Sequence, residues 1–304
     1  MSGFREFGVV LPNIGLFGGE PAGHRELIAY AKAAASLGFR SAWAADHIMH
    51  EAPTHYAPVY LQAVATAVPQ LKIGFGTMPA FVRHPIAAAR VIFTLQELSE
   101  GRLEVALSIG DERAEMRALG VNPETRGGRL DEMLEILTRL ASGDEVTHEG
   151  RYYSFEGARL RPLPANGLPP LFIASWTGKK SLERILRYGT GWMASGLFSL
   201  EENMREGMTA LREAARERGK PAPATIITNV LVLISDDRAE IERARLVQDG
   251  THRLDDSRGM WLVGPAEVVR ERLARIESIG FERLNVLPVG FDIRQLEAFM
   301  KIAN

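Results

Sequence analysis

The sequence predicts an α/β chain folded as a (β/α)8 barrel. Short apolar runs alternate with amphipathic, helix-length segments along the whole chain, and the alternation amounts to eight evenly spaced units. The runs are nearly continuous in apolar residues, as expected of parallel strands buried on both faces. No topological break of the kind that marks a doubly wound sheet interrupts the spacing, and this favours the closed barrel over the open sheet.

Residues 6–11 (EFGVVL) read as the first strand and 24–37 as its helix, stopped at Gly38. Residues 40–45 and 60–68 make the second unit. The third is 71–76 (LKIGFG) with a helix over 85–98, where Pro85 suits a first-turn position. A fourth strand over 102–109 leads into helical material over 112–119 and 126–141. The pattern breaks over 143–164, where VTHEGRYYSFEGARLRP has strand character and two turns. This stretch is expected as an insertion after the fourth unit, outside the barrel. The alternation resumes with 170–175 and 179–187, 191–195 and 200–218, then 225–234 and 239–247. Residues 250–259 read as a mobile, polar, lid-like loop. A helix over 266–279, a strand over 283–288 and a helix over 293–302 close the chain. One domain over 1–304 is expected, since α/β barrels of about 250 residues or more fold as one.

Composition narrows the function. The chain is 46% hydrophobic and 24% charged, with 36 Lys and Arg against 38 Asp and Glu and a formal net charge of −2. A nucleic-acid protein would show a basic domain or stripe, so no nucleic-acid partner is expected. The sequence holds no Cys. That excludes disulfides, zinc–thiolate sites, iron–sulfur clusters and a cysteine nucleophile. MSGFREFGVVLPN mixes acid and Arg before a short apolar run, unlike a signal peptide, and no run approaches the ~20 residues needed to span a bilayer. A soluble, cytoplasmic protein is expected.

In a barrel of this kind the chemistry sits where strands end, so the search narrows to those loops. After strand two come Asp46 and His47, either acid/base machinery or a capping Asp beside a solvated His. His50 and His55 follow, but their spacing lacks a metal-binding pattern, and no metal is expected. Strand three ends in Gly76, Thr77 and Met78 before Pro79 and an Arg83-His84-Pro85 turn. These residues suit either a bend against which something flat can lie or an ordinary loop anchored by Arg83. Strand four ends in Gly110 and Asp111, the latter an N-cap, an acid facing the pocket, or both. Ser175, Trp176, Gly178, Lys179 and Lys180 follow strand five. A Gly and two Lys opening a helix suit an anion, although a solvated Lys pair is the plain alternative.

Together these segments resemble the bacterial luciferase-like family of flavin- or deazaflavin-dependent oxidoreductases. The run IGFGTMPAFVRHPIAAARVIFTLQELSEGRLEVALSIGDE is its most specific part, and Trp43 to His47 matches a WxxDH element. RGGRLDEMLEILTRL with EGRYYSFEGARLRPLP is similar to the helix and insertion after strand four. Two departures are Thr190 where the family's GDGW-like turn has Asp, and SWTGKK where many members are richer in Gly. The resemblance implies a flavin-type ring lying in the barrel mouth, with its phosphate after strand five. It implies either coenzyme F-420, an 8-hydroxy-5-deazaflavin, in hydride transfer to or from a small organic substrate, or FMN in a monooxygenase that takes reduced flavin from a separate reductase and uses dioxygen. A flavin-binding barrel without turnover is the reading from another class. On the F-420 branch His47 exchanges a proton with substrate oxygen and Asp111 sets its charge or serves as partner acid. Asp46, Gly76, Thr77, Met78, Gly110, Ser175, Trp176, Gly178, Lys179 and Lys180 are the cofactor-binding candidates, and the Gly76–Thr77 peptide is expected to be cis. A homodimer is the expected assembly.

Overall fold

The computed structural model describes residues 3–176, 178–197, 199–245, 248–249, 252–253 and 260–304. Eight parallel strands form the barrel: β1 Glu6–Val10, β2 Ser41–Ala44, β3 Lys72–Pro79, β4 Leu103–Ser108, β5 Leu171–Ala174, β6 Gly191–Ser195, β7 Ala224–Ile234 and β8 Arg283–Pro288. Each pairs with its neighbours in chain order, and β8 closes the ring on β1 through Phe7 opposite Leu284. The helices α1 His24–Ser36, α2 Ala57–Ala67, α3 Pro85–Leu98, α4 Arg113–Ala118, α5 Arg126–Leu140, α6 Lys179–Tyr188, α7 Glu201–Glu217, α8 Arg238–Arg245, α9 Ala266–Ile279 and α10 Ile293–Ala303 connect them. The barrel predicted from the alternation is therefore the observed fold.

A strand without a counterpart in the sequence reading, Leu262–Gly264, lies alongside Val232–Ile234 of β7. β7 is long enough to serve two neighbours along one edge, since Ala224–Thr228 of the same strand pairs with β6, while its other edge pairs with β8. The expected 250–259 loop lies outside the described residues, apart from a short antiparallel pairing of Gln248–Asp249 with His252–Arg253. The stretch 143–164 carries a separate antiparallel hairpin, Val146–Glu149 with Ser154–Ala158. Glu132 of α5 pins its turn by accepting from the N–H groups of Arg151, Tyr152 and Tyr153 at 2.9, 3.2 and 3.0 Å. The Tyr153 hydroxyl donates to the Ala80 carbonyl at 3.3 Å, joining the hairpin to the exit of β3.

One layer of the barrel interior holds Trp43, Ala106, Phe172, Met193 and Ile226. The Trp43 indole fits because β3 has Gly at 74, where a Cβ would stand 2.3 Å from the ring. Large residues on some strands are thus matched by absent side chains on their neighbours, which is how barrel interiors fill without voids.

Candidate active site

β3 runs past its expected end at 76 to Pro79, and its register against β4 shifts between Gly76 and Met78. The Gly76–Thr77 peptide within this bulge is cis, the conformation that the resemblance implies. Thr77 ties the bulge to both neighbours. Its carbonyl accepts from the Asp46 N–H at 2.9 Å, and its hydroxyl lies 2.9 Å from that of Ser108 at the end of β4. Gly110 follows with φ of 71°, where a Cβ would meet the Phe81 ring at 2.3 Å. Only glycine suits both that conformation and that closeness.

Asp46 is neither a helix cap nor a free mouth carboxylate. It is fully buried, and Arg83 of the Arg-His-Pro turn binds it bidentately, with one bond at 2.9 Å. The Arg83 Nε donates to the Tyr56 hydroxyl at 3.0 Å, and its guanidinium lies 5.0 Å from that ring's centre. Burial opposes the guanidinium charge, but the hydrogen bond and charge of Asp46 hold Arg83 above its ordinary pKa. Both Asp46 oxygens are therefore occupied by protein, and its part in a cofactor site is to fix the β2 and β3 exits.

His47 stands beside it with a side chain 15% exposed, and its Nδ1 lies 2.9 Å from Glu115 Oε2. The other oxygen of Glu115 accepts from the N–H groups of Ile48 and Met49 at 2.6 and 3.0 Å. Of the two roles the resemblance implies for Asp111, setting the His47 charge or serving as its partner acid, the bonded partner in the structure is Glu115 instead. Asp111 is exposed and acts on His47 only through space. Nor does it cap α4, a role held by Glu112, whose side chain accepts from the Ala114 N–H at 3.1 Å. With Glu112 as cap, Glu115 falls at the third helical position, and its fully buried side chain faces His47. The spacing of DERAE contained that signal, but the three acids in it differ only in which one turns inward.

Burial alone would lower the His47 pKa. The hydrogen bond and charge of Glu115, followed by the charges of Asp111 and Asp46, outweigh burial and raise it above the ordinary histidine value. Burial likewise opposes the Glu115 charge, yet the bonds from His47, Met49 and Ile48 hold that carboxyl below its ordinary range. With Nδ1 fixed by Glu115, Nε2 has no hydrogen bond among the described residues and is the nitrogen left for proton exchange. The ring of His50 lies 4.9 Å from that of His47, while its Nδ1 accepts from the Ala52 N–H.

Across the mouth, β5 leads into Ser175 and the exposed Trp176. The Ser175 hydroxyl is buried with no hydrogen-bond partner. α6 begins after Gly178 with no side-chain cap, and a Cβ at Gly178 would meet nothing within 4 Å. Lys179 and Lys180 open the helix and are exposed. Free helix N–H groups, an unsatisfied hydroxyl and open space fit an anion such as a phosphate. Thr177 of this turn lies outside the described residues. Among the described residues no group of three or more His, Asp or Glu could hold a metal ion, and no helix is long and apolar enough to cross a membrane.

Comparison with known proteins agrees with this geometry. An F-420-dependent hydroxymycolic acid dehydrogenase of Mycobacterium tuberculosis is 29% identical over 229 residues, 72% of this chain and 62% of that protein. The chain thus spans less than two thirds of this relative's length. A 5,10-methylenetetrahydromethanopterin reductase of Archaeoglobus fulgidus is 25% identical, with 86% of each chain covered. Among solved structures, an F-420-dependent secondary alcohol dehydrogenase in complex with an F-420–acetone adduct superposes with a TM-score of 0.82. Its sequence is 18% identical, and the match covers 98% of both chains. Residues 5–252 match the luciferase-like monooxygenase family, and the chain belongs to that family.

Proposed function

We propose that this protein is a coenzyme F-420-dependent oxidoreductase that moves a hydride between the deazaflavin and a carbon of a small organic substrate. The observation that carries the reading is the His47–Glu115 pair, a half-buried imidazole held through one nitrogen by a buried carboxylate, with the other nitrogen left for a substrate proton. The relatives named for F-420 support the cofactor assignment. The residues present fit such a group. The β3 bulge at Gly76, Thr77 and Met78, with Gly110, would form the wall against its ring. Ser175, Trp176, Gly178, Lys179 and Lys180 would hold its phosphate side.

When bound, the deazaflavin supplies a two-electron hydride acceptor or donor. The chain supplies position and protons. In alcohol oxidation His47 Nε2 takes the hydroxyl proton as the carbinol hydrogen leaves with its electron pair and the carbonyl forms. In the reverse direction it returns that proton to the carbonyl oxygen. Glu115 stabilises the resulting imidazolium, and its bonds to the Ile48 and Met49 N–H groups keep the loop from drifting. Asp111 adds negative potential from the rim. A cytoplasmic homodimer completes the reading.

Titrating the purified protein with F-420 and with FMN, followed by visible absorption and emission, tests it. Saturable binding of F-420 with weak or absent FMN binding is expected. The opposite preference would make the protein a monooxygenase acting with reduced FMN and dioxygen. Binding of either without turnover over a broad alcohol and ketone panel would leave a non-catalytic flavin-binding barrel.

A further inference from the structure

The loop that leaves β2 and carries His47 is fastened from two sides. On the side of β3 and β4, Thr77 accepts from the Asp46 N–H and Arg83 binds the Asp46 carboxylate. Glu115 adds its bonds to His47 and to the N–H groups of Ile48 and Met49. On the side of β1 the fastening is Asn13, which follows that strand and is 1% exposed. Its Nδ2 donates to the Ala45 carbonyl at 2.7 Å and, at a longer 3.4 Å, to the His55 carbonyl. Its own backbone carbonyl accepts from the His55 N–H at 2.8 Å and the Thr54 hydroxyl at 3.2 Å. One residue thus grips the loop both where it leaves β2 and where it returns towards α2.

The Ala45 carbonyl and the Asp46 N–H belong to one peptide unit, which is rigid and planar. Asn13 holds its oxygen, and the Thr77 carbonyl holds its N–H. Since β1 and β3 are the two neighbours of β2, this peptide is held from opposite sides, directly ahead of His47. No other side chain among the described residues reaches residues 45–49 from the β1 side. The place also demands a donor, because both partners of the Asn13 amide are carbonyl oxygens, and an amide NH2 has two hydrogens to give.

We propose that Asn13 is a positioning residue for proton exchange: its amide sets the Ala45–Asp46 peptide, and through it the place of the His47 ring against Glu115 and the substrate. The proposal rests on the proposed function for the reaction, while the placement of the ring can be read without any cofactor.

Asn13→Ala and the near-isosteric Asn13→Leu test it, since both remove the donor. Single-turnover alcohol oxidation at saturating F-420 should fall about tenfold to a hundredfold, as when a reacting group is displaced by about an ångström, while F-420 affinity changes little. In the His47→Ala background, Asn13→Ala should lower the residual rate less than about twofold, because its effect passes through His47. The His47 ring faces Glu115, Asp111, Asp46 and the ring of His50. Its titration is followed by NMR in the cofactor-free protein, with the resonance assigned by comparison with His47→Ala. With the hold on Glu115 loosened, its midpoint should move to lower pH in both Asn13 variants. Wild-type turnover, rate losses that multiply in the His47→Ala background, or an unmoved midpoint overturns the proposal and leaves the F-420 reading standing. Failure of both variants to fold also overturns it, making Asn13 a residue of the fold alone. If F-420 does not bind, the cofactor reading fails separately, and the NMR midpoint decides: a shift to lower pH upholds the positioning role, and no shift refutes it.

Discussion

At the amino-terminal ends of the strands Arg283 of β8 reaches across the barrel to Glu104 of β4 through bonds of 2.9 and 2.6 Å, and to Glu6 of β1 at 2.8 Å. Lys72 joins Glu6 from β3 at 2.8 Å, and the Trp43 and Phe172 rings lie 5.7 and 5.8 Å from the guanidinium. At the carboxyl-terminal mouth Glu115 holds His47 in an equally short bond. Both clusters bury carboxylates against cations, yet only one can change state near neutral pH. Burial works against the Arg283 charge, but Glu104 and Glu6 raise its pKa further from neutrality, so the guanidinium stays charged. At the mouth the cation is an imidazole, which gains and loses its proton where enzymes work. The same electrostatics makes a brace at one end and, at the other, a pair whose imidazole can gain and lose a proton.

The largest effect expected from this contrast is at the mouth. His47→Ala should cut turnover by about a hundred- to ten-thousandfold while F-420 affinity changes little, measured at saturating cofactor. Unchanged turnover would demote His47 to a packing role. At the other end, Arg283→Met should cost about 3–5 kcal/mol of stability in denaturant unfolding, because it strands the buried Glu104 carboxylate, while Glu6 keeps Lys72. Adding Glu104→Met to it should restore much of that loss. If the double variant were no more stable than the single one, the network would be more than a brace.

Much of this was legible in the sequence. The eight barrel strands appear as apolar runs because burial on both faces leaves them few polar positions, the charged ones being Glu6, Lys72, Glu104 and Arg283 at their amino-terminal ends. Leu262–Gly264 escaped because three residues paired to the far end of one strand leave no periodicity to read. At the site, Asp46, His47 and the Gly76–Thr77 bulge were visible as strand ends. Glu115 was not, because helix α4 has only six residues and the choice among Asp111, Glu112 and Glu115 depends on how it is rotated. Arg83 was read as a loop anchor, and the structure adds that what it anchors is Asp46.

Linkage distinguishes the two clusters further. The raised His47 pKa stabilises the fold at pH below the ordinary histidine value, and that contribution is lost as pH rises through the raised value. The lowered Glu115 pKa stabilises above the ordinary carboxylate value and is lost as pH falls through the lowered one. The stability difference between wild type and His47→Ala, followed by thermal unfolding, should therefore be greatest at mildly acidic pH, between the ordinary Glu and His values, and shrink in both directions. The corresponding difference for Arg283→Met should persist to alkaline pH. A smaller effect is expected across the mouth. Lys179→Ala with Lys180→Ala should weaken F-420 binding only about fivefold, since both side chains are exposed and screened. A much larger loss would show that the ammonium groups, rather than the helix N–H groups and Ser175, hold the phosphate.

The measurement closest to the central claim is the pH dependence of single-turnover alcohol oxidation in the wild type and in Glu115→Gln. Gln keeps a hydrogen-bonding partner for His47 and for the Ile48 and Met49 N–H groups, but it removes the negative charge. The account predicts that the wild-type rate rises with pH through a midpoint above the ordinary histidine value. In Glu115→Gln the midpoint should move to lower pH, and in His47→Ala the limb should vanish. A midpoint that stays in place when Glu115 loses its charge, or a limb that survives without His47, would contradict it.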